Sequence, residues 1–495
     1  MKNKRLALNT YSSIGNKVIV IICGIIVPRL ILRGYGSETN GLINSITQFL
    51  QVISFLEMGI GAVVQSALYK PLANKDQFVA SKIVVSAQKY FKSVAIIFAM
   101  YVIFLLFAYP KISKSGFSVL YVDSLIIVMS TSLLAQYLAG LTDTLLLIAD
   151  QRGYVVYITQ SLTQIVNTIA CALLIVKGRG IHTVRLATSI IFLLRPIIIR
   201  GYINRQYNID RRITYDKEPI SQKWNGIAQH IAAFVLDGTD TIVLTILTSF
   251  SEVSVYSVYN MVVFGMKQVF ISATEGVRVF IGNLWAKQDI KKLQEVFEQF
   301  EWILHKGVVF AFGCTGILII PFVKVYTNGI NDVSYVEPLF AAIITCANAF
   351  HCIRLPYNIM ILAAGHYRQT QRCYVIAAVL NILLSIILVI PCGIAGVAIG
   401  TLVAMLYQTV WMVCYDFHNF WGRSRNVFVK LILTDVLELC IGILLSRRVA
   451  LDSTSYLSFM IMAMKVSVIM AFSIFIVNSL FYRSRINKLL HLDVM

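Results

Sequence analysis

The sequence predicts an all-α, polytopic membrane protein of about fourteen transmembrane helices. Composition is the first reason: 58% of residues are hydrophobic and only 14% charged, with a mean hydropathy of +0.75, whereas soluble domains run at about 25% charged. The second is pattern. Apolar runs of about 20 residues, the length a helix needs to cross a bilayer, recur along the whole chain. They are too long for barrel strands.

Taken in order, the expected spans lie near 10–32, 41–66, 88–109, 117–140, 154–176, 181–203, 224–248, 253–283, 303–326, 336–363, 371–391, 393–416, 427–446 and 456–481. The first follows Met1-Lys2-Asn3-Lys4-Arg5 without a small-residue cleavage site, and is expected to be a retained signal anchor. The connections between the others are short. The longest, 67–87 and 204–223, are both basic, and neither they nor any other loop is long enough to fold as an extramembrane domain.

Charge sorts by side. With the N-terminus inside, the cytoplasmic segments hold 26 Lys and Arg, against 7 on the other side (Arg33, Lys111, Lys114, Lys177, Arg179, Arg447 and Arg448). This positive-inside bias accounts for most of the formal charge of +19 and places both termini in the cytoplasm. Nucleic acid is not needed to explain the basicity. The nine cysteines lie within spans or at their ends, without CxxC or Cys/His metal spacing, and are expected to be small apolar fillers.

Sliding the chain on itself by 213–214 residues aligns Ser37-Glu38 with Ser251-Glu252, Ala149 with Ala363, and Asn167 with Asn381. Gly180-Ile181 likewise falls on Gly393-Ile394, Val184 on Val397 and Thr188 on Thr401. Six spans per half make the repeat parallel. The expected organisation is an N-terminal lobe (1–212), a C-terminal lobe (213–426) and an added helix pair with a tail (427–495).

Ionisable residues inside these spans are costly and so are functional-site candidates. Span 2 carries the stripe Asn44, Thr47, Gln51, Ser54, Glu57, Gly61 and Gln65. Span 7 places His230, Asp237 and Asp240 on nearly one face, where two acids three residues apart disfavour double ionisation. Such a pair suits proton exchange or cation binding, or a salt bridge to span 8. Span 8 has Lys267, Glu275 and Arg278 on one stripe, with Arg278 expected to be buried. Span 10 has Asn348, His351, Arg354 and Asn358, with Pro356 inviting a kink. Span 5 has the amide stripe Gln160, Gln164 and Asn167. Arg29, Asp123, Arg185, Arg195 and Asp435 also lie in or beside apolar segments, and Arg195 is expected to snorkel. These stripes predict a hydrated cavity between the lobes, richer in cations than in acids. Arginine pairs with phosphate oxygens bidentately, and amides suit sugar hydroxyls, so an amphiphile with an anionic head would fit. No P-loop and no HExxH is present, which argues against direct use of ATP and against a metal site, and no cofactor is expected beyond a coupling H+ or Na+.

The stretch Pro28-Arg29-Leu30-Ile31-Leu32-Arg33-Gly34-Tyr35-Gly36-Ser37-Glu38-Thr39-Asn40-Gly41-Leu42, followed by Phe55-Leu56-Glu57-Met58-Gly59-Ile60-Gly61-Ala62, resembles the opening of Wzx-type flippases. These belong to the polysaccharide branch of the multidrug/oligosaccharidyl-lipid/polysaccharide superfamily. The resemblance implies two six-helix lobes in a V and alternating access to a cationic cavity. The implied substrate is an undecaprenyl-diphosphate-linked oligosaccharide repeat unit, moved to the outer leaflet of the bacterial cytoplasmic membrane for O-antigen, capsule or another surface polysaccharide. A polysaccharide polymerase machinery is the implied partner, and the protein is not expected to be an enzyme. Family precedent for charge in helices one, two, seven and eight falls on Arg29, Glu57, Asp237 or Asp240, and Arg278. Many such flippases have twelve spans. The fourteen expected here keep the lipid II flippase branch open.

The expected substrate-binding residues are therefore Arg29, Gln51, Lys267, Arg278 and Arg354. The expected coupling or gating residues are Glu57, His230, Asp237, Asp240 and Glu275. A cation-coupled multidrug exporter is the first rival, and would want a more acidic and aromatic cavity. A membrane enzyme acting on polyprenyl-linked sugars is the second, and the short loops argue against it.

Overall fold

A computed structural model describes residues 2–113, 116–215, 218–220, 227–421, 424, 426–483 and 485. Its described part is all helical, and the chain is a multi-pass membrane protein with fourteen helices. These are α1 (2–35), α2 (37–73), α3 (Gln77–Ile112), α4 (Val119–Ala149), α5 (Gly153–Val176), α6 (Ile181–Gln206) and α7 (Ile227–Leu247). There follow α8 (Phe250–Ala286), α9 (Ile290–Tyr326), α10 (Pro338–Ala363), α11 (367–392), α12 (394–416), α13 (Asn426–Ser446) and α14 (Tyr456–Phe481).

Two of the turns between helices are single glycines. α1 meets α2 at Gly36 (φ 80°, ψ 175°), and α11 meets α12 at Gly393 (φ 54°, ψ −137°). A side chain at positive φ is strained, so glycine allows a corner without a loop. Two other starts are capped by aspartates: Asp76 accepts from the Val79 amide at 3.0 Å, and Asp289 from the Lys292 amide at 3.2 Å. Some rods are interrupted internally. α2 tightens into a 3₁₀ turn at Val52–Ser54, and α4 widens into a π-turn at Gln136–Gly140. α10 breaks at Arg354, 214 residues after Gly140. That break has a covalent cause, because Pro356 cannot donate to the Cys352 carbonyl.

The outward faces are apolar. Ile96, Phe104, Phe107, Leu120, Val176, Leu457, Val468 and Leu480 are all exposed, as lipid-facing surfaces must be. Backbone polar groups are satisfied within the helices, the arrangement that a hydrocarbon solvent imposes. The cysteines are all free, and five of them are buried.

Two compact units make up the chain: 1–234 with 244–254, and 235–243 with 255–495. In the first, buried hydroxyls tie α2 to its neighbours: Tyr109 donates to Ser45 at 2.7 Å, Thr245 donates to Ser45 at 2.7 Å, and Asn40 donates to Ser254 at 2.8 Å. The chain just after α6 is held by charge and hydrogen bonds. Asp143, fully buried, pairs with Arg211 at 2.8 Å and with Arg200 at 3.3 Å. Asp150 accepts from the Tyr207 hydroxyl at 2.5 Å, and burial together with that carboxylate raises the pKa of the Tyr207 phenol. Glu218 accepts from Ser86.

In the second unit, α13 and α14 pack on α9, where Val309, Cys314, Met462, Val466 and Met470 form one apolar cluster. α11 and α12 approach more closely than side chains would allow. A Cβ at Gly396 would lie 2.1 Å from the Leu388 carbonyl oxygen, and one at Gly400 would lie 2.5 Å from the Ser385 hydroxyl. This is the small-xxx-small packing of membrane helices. Gly400→Leu is expected to lower folded yield and to cost about 3 kcal/mol of stability through overpacking, seen as a lower thermal midpoint in detergent. Gly265→Ala, with no atom within 4 Å of the added carbon, should leave that midpoint nearly unchanged.

Candidate functional site

In the first unit a largely apolar pocket surrounds the Glu57 carboxylate. Its cavity, about 270 Å³, is lined by Ser54, Glu57, Gly61, Phe91, Leu141 and Leu145. Two helix irregularities build it. The 3₁₀ turn of α2 immediately precedes Glu57, and the π-turn of α4 presents Tyr137, whose hydroxyl donates to Glu57 Oε1 at 3.0 Å. Tyr90 donates to the Leu56 carbonyl at 2.7 Å. Local departures from α-helix of this kind recur at functional sites. Glu57 is half-buried, and Gln51 is exposed.

The rest of the span 2 stripe is less available than its spacing suggests. Asn44 donates to the Asn40 carbonyl at 2.8 Å, and Thr47 donates to that of Ile43 at 2.7 Å, both within their own helix. The α5 amides serve packing. Gln160 accepts from Asn16 at 3.1 Å, and Gln164 accepts from Arg195 at 3.3 Å. Arg195 also donates to Thr163 at 2.7 Å and lies 3.9 Å from the centre of the Phe192 ring. It does not snorkel as its position suggested; neighbouring acceptors let the guanidinium stay inside. Arg29 is half-buried in α1, and Arg185 is half-buried in α6.

In the second unit, Asp240, Tyr256, Asn260, Lys267, Asn348, His351 and Thr401 converge from four helices on a cavity of about 20 Å³. That volume admits roughly one water molecule. Asp240 is 4% exposed. Its Oδ2 accepts from Tyr256 at 3.0 Å and from Thr401 at 2.8 Å. Asn381 extends the cluster, donating to Thr401 at 3.0 Å and accepting from Thr239 at 3.0 Å. Lys267, also 4% exposed, sits 4.8 Å from the Phe264 ring centre. Arg354, 5% exposed, donates to Gln408 Oε1 at 2.5 Å and faces the His351 ring at 3.2 Å. Arginine only donates, so a His351 ring nitrogen can only accept from it. The sequence-derived residues Asp240, Lys267, Asn348 and His351 thus line one polar site, and Arg354 braces its edge.

Arg278 is less enclosed than Lys267 on the same helix. It is not buried in the body of its unit: its side chain is 48% exposed, and its partner is Glu275 at 3.5 Å, itself 60% exposed. An apolar run shows that a segment crosses the membrane, but not which face each residue takes. The side chains of His230 and Asp237 lie outside the described residues.

A second polar cluster went almost unread in the sequence. On α9, Glu301, His305 and Lys306 are buried. Lys306 reaches Asp435 at 2.8 Å and Glu438 at 2.7 Å on α13, and His305 meets Asp435 at 2.6 Å. Asn478 of α14 donates to Glu438 at 2.7 Å and accepts from Trp302 at 3.2 Å. Only Asp435 stood out beforehand. The spacing of Glu301 to His305, and of Asp435 to Glu438, marks one helix face in each case.

No family model and no curated protein sequence matches this chain. Solved structures do. A lipid II flippase, MurJ, in an inward closed conformation superposes with a TM-score of 0.72 at 15% identity, covering 97% of this chain and 100% of that one. An inward-facing multidrug resistance MATE transporter of the MOP superfamily gives a TM-score of 0.64 at 14% identity, covering 80% and 93%. A eukaryotic MATE transporter gives 0.62 at 13% identity, covering 86% and 99%. The chain shares the fold of these transporters. At such identities the likeness concerns fold alone. The MATE structures leave more of this chain unmatched than MurJ does.

Proposed function

We propose that the chain is a flippase that moves an undecaprenyl-diphosphate-linked oligosaccharide repeat unit from the cytoplasmic to the outer leaflet of the bacterial cytoplasmic membrane, for surface polysaccharide synthesis. The observation that carries this reading is the whole-length likeness to a lipid II flippase, matched over 97% of one chain and 100% of the other. Both substrates pair a polyprenyl diphosphate with sugar. Intramembrane cations beside amides and hydroxyls suit that head group.

In this reading Arg29, Gln51, Lys267 and Arg278 contact diphosphate and sugar. Arg354, committed to Gln408 and His351, positions rather than binds. Glu57, Asp237, Asp240, Glu275 and His230 serve coupling or gating. The oxygens around Asp240, with Thr401 and Asn381, suit Na+ or H+. Polymerase machinery for the polysaccharide is the partner, and no covalent chemistry is assigned to the chain. Lipid II transport is the second reading, favoured by the same whole-length match, and it separates by essentiality: loss of a sole lipid II flippase is lethal.

Reconstituted in vesicles, the protein should move a labelled undecaprenyl-diphosphate oligosaccharide between leaflets. Arg278→Ala is expected to abolish export at normal expression, whereas Arg278→Lys keeps part of it, because a point charge replaces a bidentate fork. Full export by Arg278→Ala would remove that residue from the substrate path.

A further inference from the structure

The last residue of α12 is an aspartate that nothing among the described residues holds as an anion. Asp416 has 0% exposure. Neither of its carboxylate oxygens has a hydrogen-bond partner among the described residues. The buried group tied to the same region through Tyr357 is another carboxylate, Glu301 of α9, also 0% exposed. Tyr357 of α10 donates its hydroxyl to Glu301 at 2.6 Å, and its ring packs 6.2 Å from that of Phe417, the residue after Asp416. Further along, α9 presents His305 and Lys306, but both are spent on Asp435 and Glu438 of α13. Tyr415, one residue before Asp416, bonds His366 at 2.9 Å.

Position adds to the effect. A carboxylate at a helix C-terminus meets the negative end of the macrodipole. An isolated buried anion costs so much that such a group takes up a proton instead. Metal binding would need more ligands: among the described residues, no group of three or more His, Cys, Asp or Glu side chains is placed to hold an ion.

Depth also fits exchange with water. From residue 394 to residue 416 the helical rise is about 33 Å, against a hydrocarbon thickness of about 30 Å. Asp416 therefore lies at the interface on the side of the basic loops. The wide π-turn Phe417–Trp421 follows it directly, a local irregularity able to open without unwinding α12.

We propose that Asp416, beside Glu301, is a proton-binding site that exchanges with water on the basic-loop side when the turn 417–421 opens. The site is separate from the Asp240 cluster. It stands on the geometry of the second unit; only its use in a transport cycle rests on the flippase reading.

Infrared spectroscopy of the purified full-length protein tests it without any transport measurement. At neutral pH the wild type should show a carboxylic-acid C=O band that shifts in D2O, disappears reversibly on alkalinisation, and is lost in Asp416→Asn. Glu301→Gln, which removes the other buried carboxylate, should keep the band and move its disappearance to lower pH. An identical band in wild type and Asp416→Asn would overturn the proposal, as would loss of the band on adding Na+ at constant pH. If Asp416→Asn does not fold, an unchanged titration in Glu301→Gln overturns it equally. In vesicles, Asp416→Asn should flatten the pH dependence of transport. A flattened profile together with the lost band supports a role in the cycle.

Discussion

Lys306→Met is expected to destabilise the protein by about 3–5 kcal/mol, because it removes the ammonium shared by two buried carboxylates and leaves only His305 beside Asp435 and the Asn478 amide beside Glu438. Lys306 is 9% exposed and Glu438 is 0% exposed, so solvent cannot take over from the ammonium. The pair also lies where α9, α13 and α14 meet, with Asn478 closing the far side. The loss should therefore appear as weakened attachment of the C-terminal helix pair. Thermal unfolding in detergent, and proteolysis between α12 and α13, read it directly. Lys306→Met combined with Glu438→Leu should recover most of the stability, since replacing a buried ion pair by apolar groups is often nearly neutral. If the two single losses simply add, the two side chains are not coupled and the network account fails.

The second large effect is on coupling. Asp240→Asn removes the only carboxylate described at its cavity but keeps its shape and leaves an oxygen to accept from Tyr256 and Thr401. A charged hydrogen-bonding partner is worth about 1.5–3 kcal/mol, so a bound cation should be held roughly 10- to 150-fold more weakly. Transport by the variant should demand much more Na+, or lower pH, for half its maximal rate, while the thermal midpoint moves little. Unchanged dependence on both ions would remove Asp240 from coupling.

How much of this was legible in the sequence follows from what hydrophobicity can report. The helices were legible because most of them contain an apolar run near the thickness of a bilayer, and the corners Gly36 and Gly393 separate runs that would otherwise merge. The end of α9 was not. The helix begins at Ile290 rather than near 303, and its first residues, Ile290-Lys291-Lys292-Leu293-Gln294-Glu295, are too polar to extend the apolar run. Glu301 and Trp302 therefore fell outside the expected span, and with them their links to Tyr357 of α10 and Asn478 of α14.

The site was legible in part for a related reason. Spacing along one helix put His351 and Arg354 on a common face, and they do meet. Contacts between helices, such as Arg354 with Gln408 or Asp240 with Thr401, leave no trace in the spacing within either helix. Burial is a further property that spacing does not report, as Arg278 shows. It shares a stripe with Lys267 in the sequence, yet Lys267 is enclosed and Arg278 is exposed, because α8 runs for 37 residues and its environment changes along its length.

The most direct test of the flippase reading is the lipid profile of a deletion strain, resolved by membrane leaflet. The reading predicts that undecaprenyl-diphosphate oligosaccharide accumulates in the cytoplasmic leaflet while surface polysaccharide is lost, the mass of the lipid identifying the sugar. An unchanged profile, accompanied by greater sensitivity to cationic dyes, would contradict it and point to a drug exporter.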